Sequence, residues 1–462
     1  MSLEKLSGTD AALLALESTN TPMQVLGVLV LDPSGDDAAY SFQRLRATIA
    51  ERVHLMPPFC RQLRRVPLHL DRPYWEPVVD IDIDAHVTRI SATDPGDWHV
   101  LGDMVGEIAS RLLPRDRPLW HVTVIEGLAD SRVAVVARIH HATLYGATGV
   151  EFIAQLLDFD VAGRTVDPPD PDHEVPTYST IDMLTRTAWH QAGTPVRAGR
   201  AVVGGLRGLA GEIVGRLRGE GGAAMPSFAP STALNGPLTN RRSTAFLRVS
   251  LKDAKEIKNV YDCTVNDVVL AATTYGIREH LLKNGFDVSK RPVASCPTSQ
   301  GGSQTAGTDR LGVMSVPLPV DIEDPVGQLR AVTEATTEAK GADPLAGDLL
   351  PTVADLIPAI LMAGGGRLYS SLGLSRVHPP IASLVVSNMI GPPLQLYLAG
   401  ARIEAIFPLG PLLPAIGVNV TVLSDQGQLD VGVLSCPDVV GDPWQIAEGF
   451  AEGVTRLLDT LD

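Results

Sequence analysis

The run Val133-Ala-Val-Val-Ala-Arg-Ile139 constrains this chain most, because it is short, apolar and β-branched, and it stops at His140-His141 before a turn bearing Gly146 and Gly149. Such a run closed by glycine-rich turn chemistry reads as a buried strand. Successive strand side chains point to opposite faces, so the two imidazoles are not expected to share one site. This argues against a two-histidine metal site. It favours a single general base, with the neighbouring ring packing or capping behind it. Taken alone, such a histidine beside an apolar strand is more often a hydrogen-bonded structural residue than a catalytic one.

Similar runs recur along the chain. Val25–Leu31 reads as a strand in the first part, beside a helical pattern over Val105–Leu113. Further strands are predicted at Pro292–Ser295, Val313–Leu318, Ala382–Val386 and Gly417–Val422. A helix is predicted over Val265–Leu282, with Thr264 as N-cap and Asn266 and Asp267 in its first turn. Two α/β halves follow, with no repeat of fixed period. Pro168, Pro169, Pro171 and Pro176 open a break between them, and Gly221, Gly222, Pro226 and Pro230 close it. The expected organisation is a first domain over 1–180, a linker over 181–235 and a second domain over 236–462.

Within the linker, Val202, Leu206, Leu209, Ile213 and Leu217 recur at helical spacing, and Arg200, Arg207, Arg216 and Arg218 face a single acid, Glu212. A basic amphipathic helix suits an anionic lipid surface; the same stripe also suits packing on the protein itself. Gly204, Gly205, Gly208, Gly211 and Gly215 each weaken its helicity by roughly 1 kcal/mol relative to alanine.

At 462 residues the chain has room for two or three domains, and 45% hydrophobic with 20% charged residues describes a folded protein. A net charge of −15 disfavours nucleic acid as a partner. Cys60, Cys263, Cys296 and Cys436 are scattered without a C-x-x-C pair, which points away from zinc knuckles and disulfide frameworks and toward a reducing cytosol. No signal-like N-terminus is visible, and no run reaches the ~18 apolar residues of a spanning helix. The expected location is cytoplasmic, with the protein either soluble or peripheral to a membrane. P-loop, H-E-x-x-H and G-x-S-x-G patterns are all missing, and Gly301–Gly307 lacks a P-loop lysine.

His140-His-Ala-Thr-Leu-Tyr-Gly146 resembles the HHxxxDG signature of acyl-CoA-dependent acyltransferases related to chloramphenicol acetyltransferase and the condensation domains. The whole chain resembles the bacterial wax ester synthase/diacylglycerol acyltransferases of the actinobacterial triacylglycerol-synthase type. Leu6-Ser-Gly-Thr-Asp10, with Glu17 and Pro22-Met23, is similar to that family's N-terminal motif, and Arg117-Pro-Leu-Trp120 to its PLW motif. Leu234-Asn-Gly-Pro237 with Arg241-Arg242 resembles the entry to its second domain. Thr264-Val-Asn-Asp267 resembles its ND motif, and Ser387-Asn-Met-Ile-Gly-Pro392 its SNxxGP motif. HHxxxDG alone is shared across a superfamily; the five segments in this order are highly specific. One position departs: Tyr145 stands where the family carries an aspartate that pairs with an arginine behind the base.

The resemblance implies two chloramphenicol-acetyltransferase-like α/β domains, mixed sheets flanked by helices, with an active-site tunnel between them. It implies His141 as general base and His140 as its support. Asn266, Ser387 and Asn388 become candidate oxyanion or substrate donors, against the alternative of ordinary capping. Tyr145, Gly146, Asp267 and Gly391 become loop-structural positions, Gly391 and Pro392 shape a turn, and Trp120 belongs to the core. The implied reaction transfers a long-chain acyl group from acyl-CoA to diacylglycerol, or to a fatty alcohol, without cofactor or metal. Tyr145 leaves two alternatives: another lipid or polyketide hydroxyl as acceptor, or a weakly active lipid-binding paralogue.

Overall fold

The computed structural model describes residues 4–34, 40–67, 71–144, 154–168, 229–299, 311–341 and 380–461. Among them the strands are β1 Glu4–Lys5, β2 Gln24–Asp32, β3 Arg61–Arg64, β4 Tyr74–Pro77, β5 Val87–Gly96, β6 Trp120–Leu128, β7 Val133–His140, β8 Ser243–Ser250, β9 Val293–Ser299, β10 Leu311–Pro317, β11 Leu384–Ile390, β12 Tyr397–Leu398, β13 Ala401–Leu409, β14 Val418–Asp425 and β15 Gln428–Ser435. They build two six-stranded mixed sheets and a small antiparallel sheet, β1-β4-β3. The N-terminal sheet has the order β12-β13-β2-β7-β6-β5, with β5 parallel to β6. The C-terminal sheet has the order β10-β9-β11-β14-β15-β8, parallel at β9/β11 and β11/β14. The N-terminal sheet thus takes β12 and β13 from within the 236–462 range.

β2 is apolar on both faces because both are covered. Leu29 and Leu31 pack with Leu45 and Ile49 of the helix Phe42–Arg52, while Leu26, Val28 and Val30 pack with Leu101 and Val105 of the helix Trp98–Ala109. This second helix begins before the predicted Val105, because Asp97 caps it by accepting from the amides of His99 and Val100. It ends before Leu113, where buried side chains from the sheet take its last carbonyls. Gln24 Nε2 donates to the oxygens of Ala109 and Arg111 at 3.0 and 2.9 Å, and Arg138 Nη1 to those of Ile108 and Arg111 at 3.2 and 2.9 Å. A cation at the negative end of the helix suits its dipole.

The same helix lies between the sheets. A Cβ at Gly106 would sit 2.6 Å from the Arg242 carbonyl, so glycine allows the helix backbone to meet the chain entering β8. Thr244 Oγ1 donates to the Gly102 oxygen at 2.8 Å beside it. The outer face of the C-terminal sheet is covered by Val265–Lys283, Pro325–Gly341 and Trp444–Leu458, with Val268, Leu270, Ile277 and Phe450 in the core. Thr264 caps the first of these in a reciprocal box with Asp267.

A second seam joins the sheets through β13, which carries a bulge between Ile403 and Ala405. Ile406 N–H donates to Asp430 Oδ2 of β15 at 2.8 Å, and Arg248 Nε of β8 donates to Asp430 Oδ1 at 2.8 Å. Among the described residues no helix is long and apolar enough to cross a membrane. The basic stretch Val202–Leu217, for which the sequence predicts a helix, lies outside the described residues.

Candidate active site

β7 ends at His140, and His141 opens a one-turn 3-10 helix, His141–Leu144. Strand alternation therefore does not separate the two rings; the turn of the chain does. His140 is 1% exposed, and its backbone N–H donates to the Leu119 oxygen at 3.0 Å. Its ring works on both sides. Nδ1 accepts from the Ala142 amide at 3.1 Å, which in the neutral ring places the proton on Nε2. Nε2 faces Glu17 Oε1 at 3.2 Å, close in charge terms although poorly aligned as a hydrogen bond.

His141 keeps a minor part of its surface accessible while protein atoms enclose most of the side chain. Its amide donates to the Met23 oxygen at 2.8 Å, which fixes the start of the turn. Burial pushes its pKa below the ordinary 6.5, and the neighbouring His140 pushes the same way. A neutral imidazole at physiological pH can accept a proton.

Beneath the pair lies a carboxylate. Glu17 follows the helix Gly8–Leu16 and its side chain is 4% exposed. Burial alone would raise its pKa, but His140 and then Arg115 outweigh burial and bring it down to about 2. Arg115 Nη2 and Nε donate to Glu17 Oε2 at 2.5 and 3.2 Å, and the Met23 amide donates to Oε1 at 3.3 Å. Leu6, Leu14, Trp75, Leu119 and Ala142 close the space around this array.

The candidates on the C-terminal side take other positions. Asn266 is half-buried in the first turn of Val265–Lys283 and makes no side-chain hydrogen bond among the described residues. Thr264 and Asp267 do the capping instead, and Asp267 Oδ1 also accepts from Thr336 Oγ1 at 2.7 Å. Ser387 and Asn388 are not turn caps either: both lie in β11, opposite Thr421 and Val422 of β14. Gly391 does more than form a turn. Its amide donates to the Ser424 oxygen at 2.8 Å, and a Cβ there would fall 2.8 Å from that oxygen. Trp120 is core, stacked on His86 at 4.1 Å with Nε1 donating to the Phe59 oxygen. Among the described residues no hydrogen bond links Asn266, Ser387 or Asn388 to the histidine turn. Met389 and Leu144, neighbours of the two regions, do pack against one apolar cluster. Tyr145 and Gly146 lie outside the described residues.

Residues 6–269 match the wax ester synthase/diacylglycerol acyltransferase catalytic domain, and residues 308–457 match the C-terminal domain of the same enzymes. The chain belongs to the wax ester synthase/diacylglycerol acyltransferase family. A Mycobacterium tuberculosis protein bearing a diacylglycerol O-acyltransferase name is 33% identical over 467 residues, covering 100% of this chain and 91% of that one. A second, from the same organism, is 32% identical and covers 97% and 94%. The wax ester synthase/diacylglycerol acyltransferase of Marinobacter aquaeolei VT8 has the same fold, with a TM-score of 0.68 at 23% identity over 98% of both chains. The condensation domain of the monacolin K polyketide synthase shares it at a TM-score of 0.51 and 13% identity, covering 99% of this chain and 98% of that domain. The two-domain, chloramphenicol-acetyltransferase-like architecture expected from sequence is the one observed, and the chain is an acyltransferase of this family.

Family membership gives the scattered motifs a common place. Glu17 and Met23 of the N-terminal motif and Leu119 of the PLW motif each meet His140 or His141, and Leu6 shares an apolar cluster with Leu119 and Ala142. Sequence reasoning used Glu17 only as a landmark and passed over Arg115. One signal was available: Glu17 is the one charged residue from Ala11 to Leu31. A lone acid in an apolar segment is costly to bury unless something pairs with it.

Proposed function

We propose that this chain transfers a long-chain acyl group from acyl-CoA to the free hydroxyl of diacylglycerol, forming triacylglycerol, and accepts a fatty alcohol in the same site. His141 is the general base. The observation that carries this reading is a single imidazole held at a strand end, enclosed, and biased toward its neutral form. The acceptor oxygen attacks the thioester carbonyl as its proton passes to His141. Collapse of the tetrahedral intermediate breaks the carbon–sulfur bond, and the same proton goes to the departing CoA sulfur. The step uses no covalent enzyme intermediate and no cofactor. Asn266, whose side-chain amide makes no hydrogen bond among the described residues, is the first candidate donor to the oxyanion, and Ser387 and Asn388 follow. The acceptor is nearly insoluble in water, and the basic segment Arg200–Arg218 would meet a membrane or droplet surface.

The test is His141→Ala, followed by CoA thiol release from palmitoyl-CoA with diacylglycerol and hexadecanol in parallel. General-base catalysis contributes about 10²–10⁴-fold, so turnover should drop on the order of 10³-fold with both acceptors. Near-normal turnover in a folded variant rejects His141 as the base.

A further inference from the structure

Glu17 is connected to both sides of the peptide segment that carries His141. On one side, Oε1 accepts from the Met23 amide, and the Met23 carbonyl accepts the His141 N–H at 2.8 Å. On the other, the carboxylate faces His140 Nε2, and the opposite ring nitrogen holds the Ala142 N–H at 3.1 Å. The amides of residues 141 and 142 are thus fixed by two short relays that meet at one carboxylate. Arg115 anchors that carboxylate from behind and also donates to the Leu14 oxygen at 3.3 Å, tying it to the end of the helix Gly8–Leu16. The loop between helix and β2 is held in turn from the second half of the chain, where Arg242 Nη2 donates to the Asn20 oxygen at 2.6 Å.

We propose that Glu17, anchored by Arg115, is a positioning residue for the acyl transfer, acting through His140 and Met23 to set the direction of the His141 ring. It touches no substrate. The anion keeps the proton of His140 on Nε2, so that Nδ1 stays an acceptor for the Ala142 amide and the turn keeps its course. Without it, Nδ1 can take the proton, the Ala142 amide loses its acceptor, and the turn after His141 relaxes. A misplacement of about 1 Å at a catalytic group costs about 10²-fold in rate. This inference rests on His141 being the base, and its test separates the two claims.

The experiment is a double-mutant cycle on the full chain, with Glu17→Ala and His141→Ala, read by steady-state CoA release at fixed diacylglycerol. Glu17→Ala should lower kcat by about 10- to 100-fold, the usual range for a residue that orients a catalytic ligand, and leave KM for acyl-CoA within about twofold. In the His141→Ala background the same change should cost nothing further. Glu17→Gln, which keeps an acceptor for Met23 and for the His140 ring, should recover much of the loss and serves if the alanine variant does not fold. Nitrogen-15 histidine spectra should show the Nε2–H tautomer of His140 in the native chain and a mixture in Glu17→Ala. An equal loss in both backgrounds, a loss carried by KM, or a glutamine variant no better than alanine overturns the proposal. Full turnover in His141→Ala overturns the assignment beneath it and leaves Glu17 with no base to position.

Discussion

The histidine turn and the seam at Asp430 bury the same chemistry with opposite results. Each holds a carboxylate almost free of solvent, Glu17 at 4% and Asp430 at 0% side-chain exposure, beside an arginine that reaches the surface. Each carboxylate also accepts one backbone amide, from Met23 and Ile406 respectively. Yet Glu17 is brought down to about 2, whereas burial pushes Asp430 up to about 6. The difference lies in the other neighbours. Glu17 has His140 on the oxygen that Arg115 does not use. Among the described residues Asp430 has only Arg248 for positive charge, while the Asp425 charge works against it. One partner does not offset the desolvation of a buried anion, and two do. The site behind the base therefore holds a charge that does not titrate near neutral pH, and the seam holds one that does.

The largest effect should come from neutralising each acid in place. Glu17→Gln leaves Arg115 and His140 facing an uncharged group, and should cost on the order of 3 kcal/mol at pH 7 by urea unfolding. Asp430→Asn keeps an acceptor for the Ile406 amide and removes an anion the fold already disfavours, so it should change stability by less than about 1 kcal/mol. Equal costs at the two sites would break the contrast. The pH dependence sharpens it, because the signs are opposite. Glu17 titrates in the folded chain near 2, below its reference value of 4.5, so its contribution is complete above 4.5 and is lost as pH falls toward 2. Asp430 titrates near 6, above its reference of 3.8. Its native form holds the proton more tightly, so stability rises as pH falls from about 6 to about 4. Unfolding measured across that window should flatten in Asp430→Asn and keep its slope in Glu17→Gln.

Much of this is legible in the sequence itself. The β-branched runs gave β2, β7, β11 and β14 to within a few residues, because strands covered on both faces show continuous apolar character. Thr264 was readable as a cap because N-cap chemistry is local. The contacts around the histidines are of another kind. Glu17 and His140 stand 123 positions apart by their numbers, and neither neighbourhood in sequence points to the other. The crossing of β13 into the N-terminal sheet was equally silent, since a strand pattern names a strand and not its partner. Local periodicity carries elements; pairing over long separations is decided by packing.

The smallest effect expected is at Tyr145, and it bears most directly on what holds the base. The resemblance places there an aspartate that pairs with an arginine behind the catalytic loop, and this chain has none. If that aspartate were the main support of the base, restoring it would raise turnover strongly. Here the peptide groups of His141 and Ala142 already have their partners in Met23 and His140, and Glu17 with Arg115 fixes both. Tyr145→Asp should therefore change kcat by less than about threefold with either acceptor, because the peptide groups of His141 and Ala142 keep their partners. In the Glu17→Ala background, where the turn after His141 is loosened, the same substitution should help more. A tenfold gain from Tyr145→Asp in the otherwise native chain would move the control of the base from the N-terminal clamp to position 145.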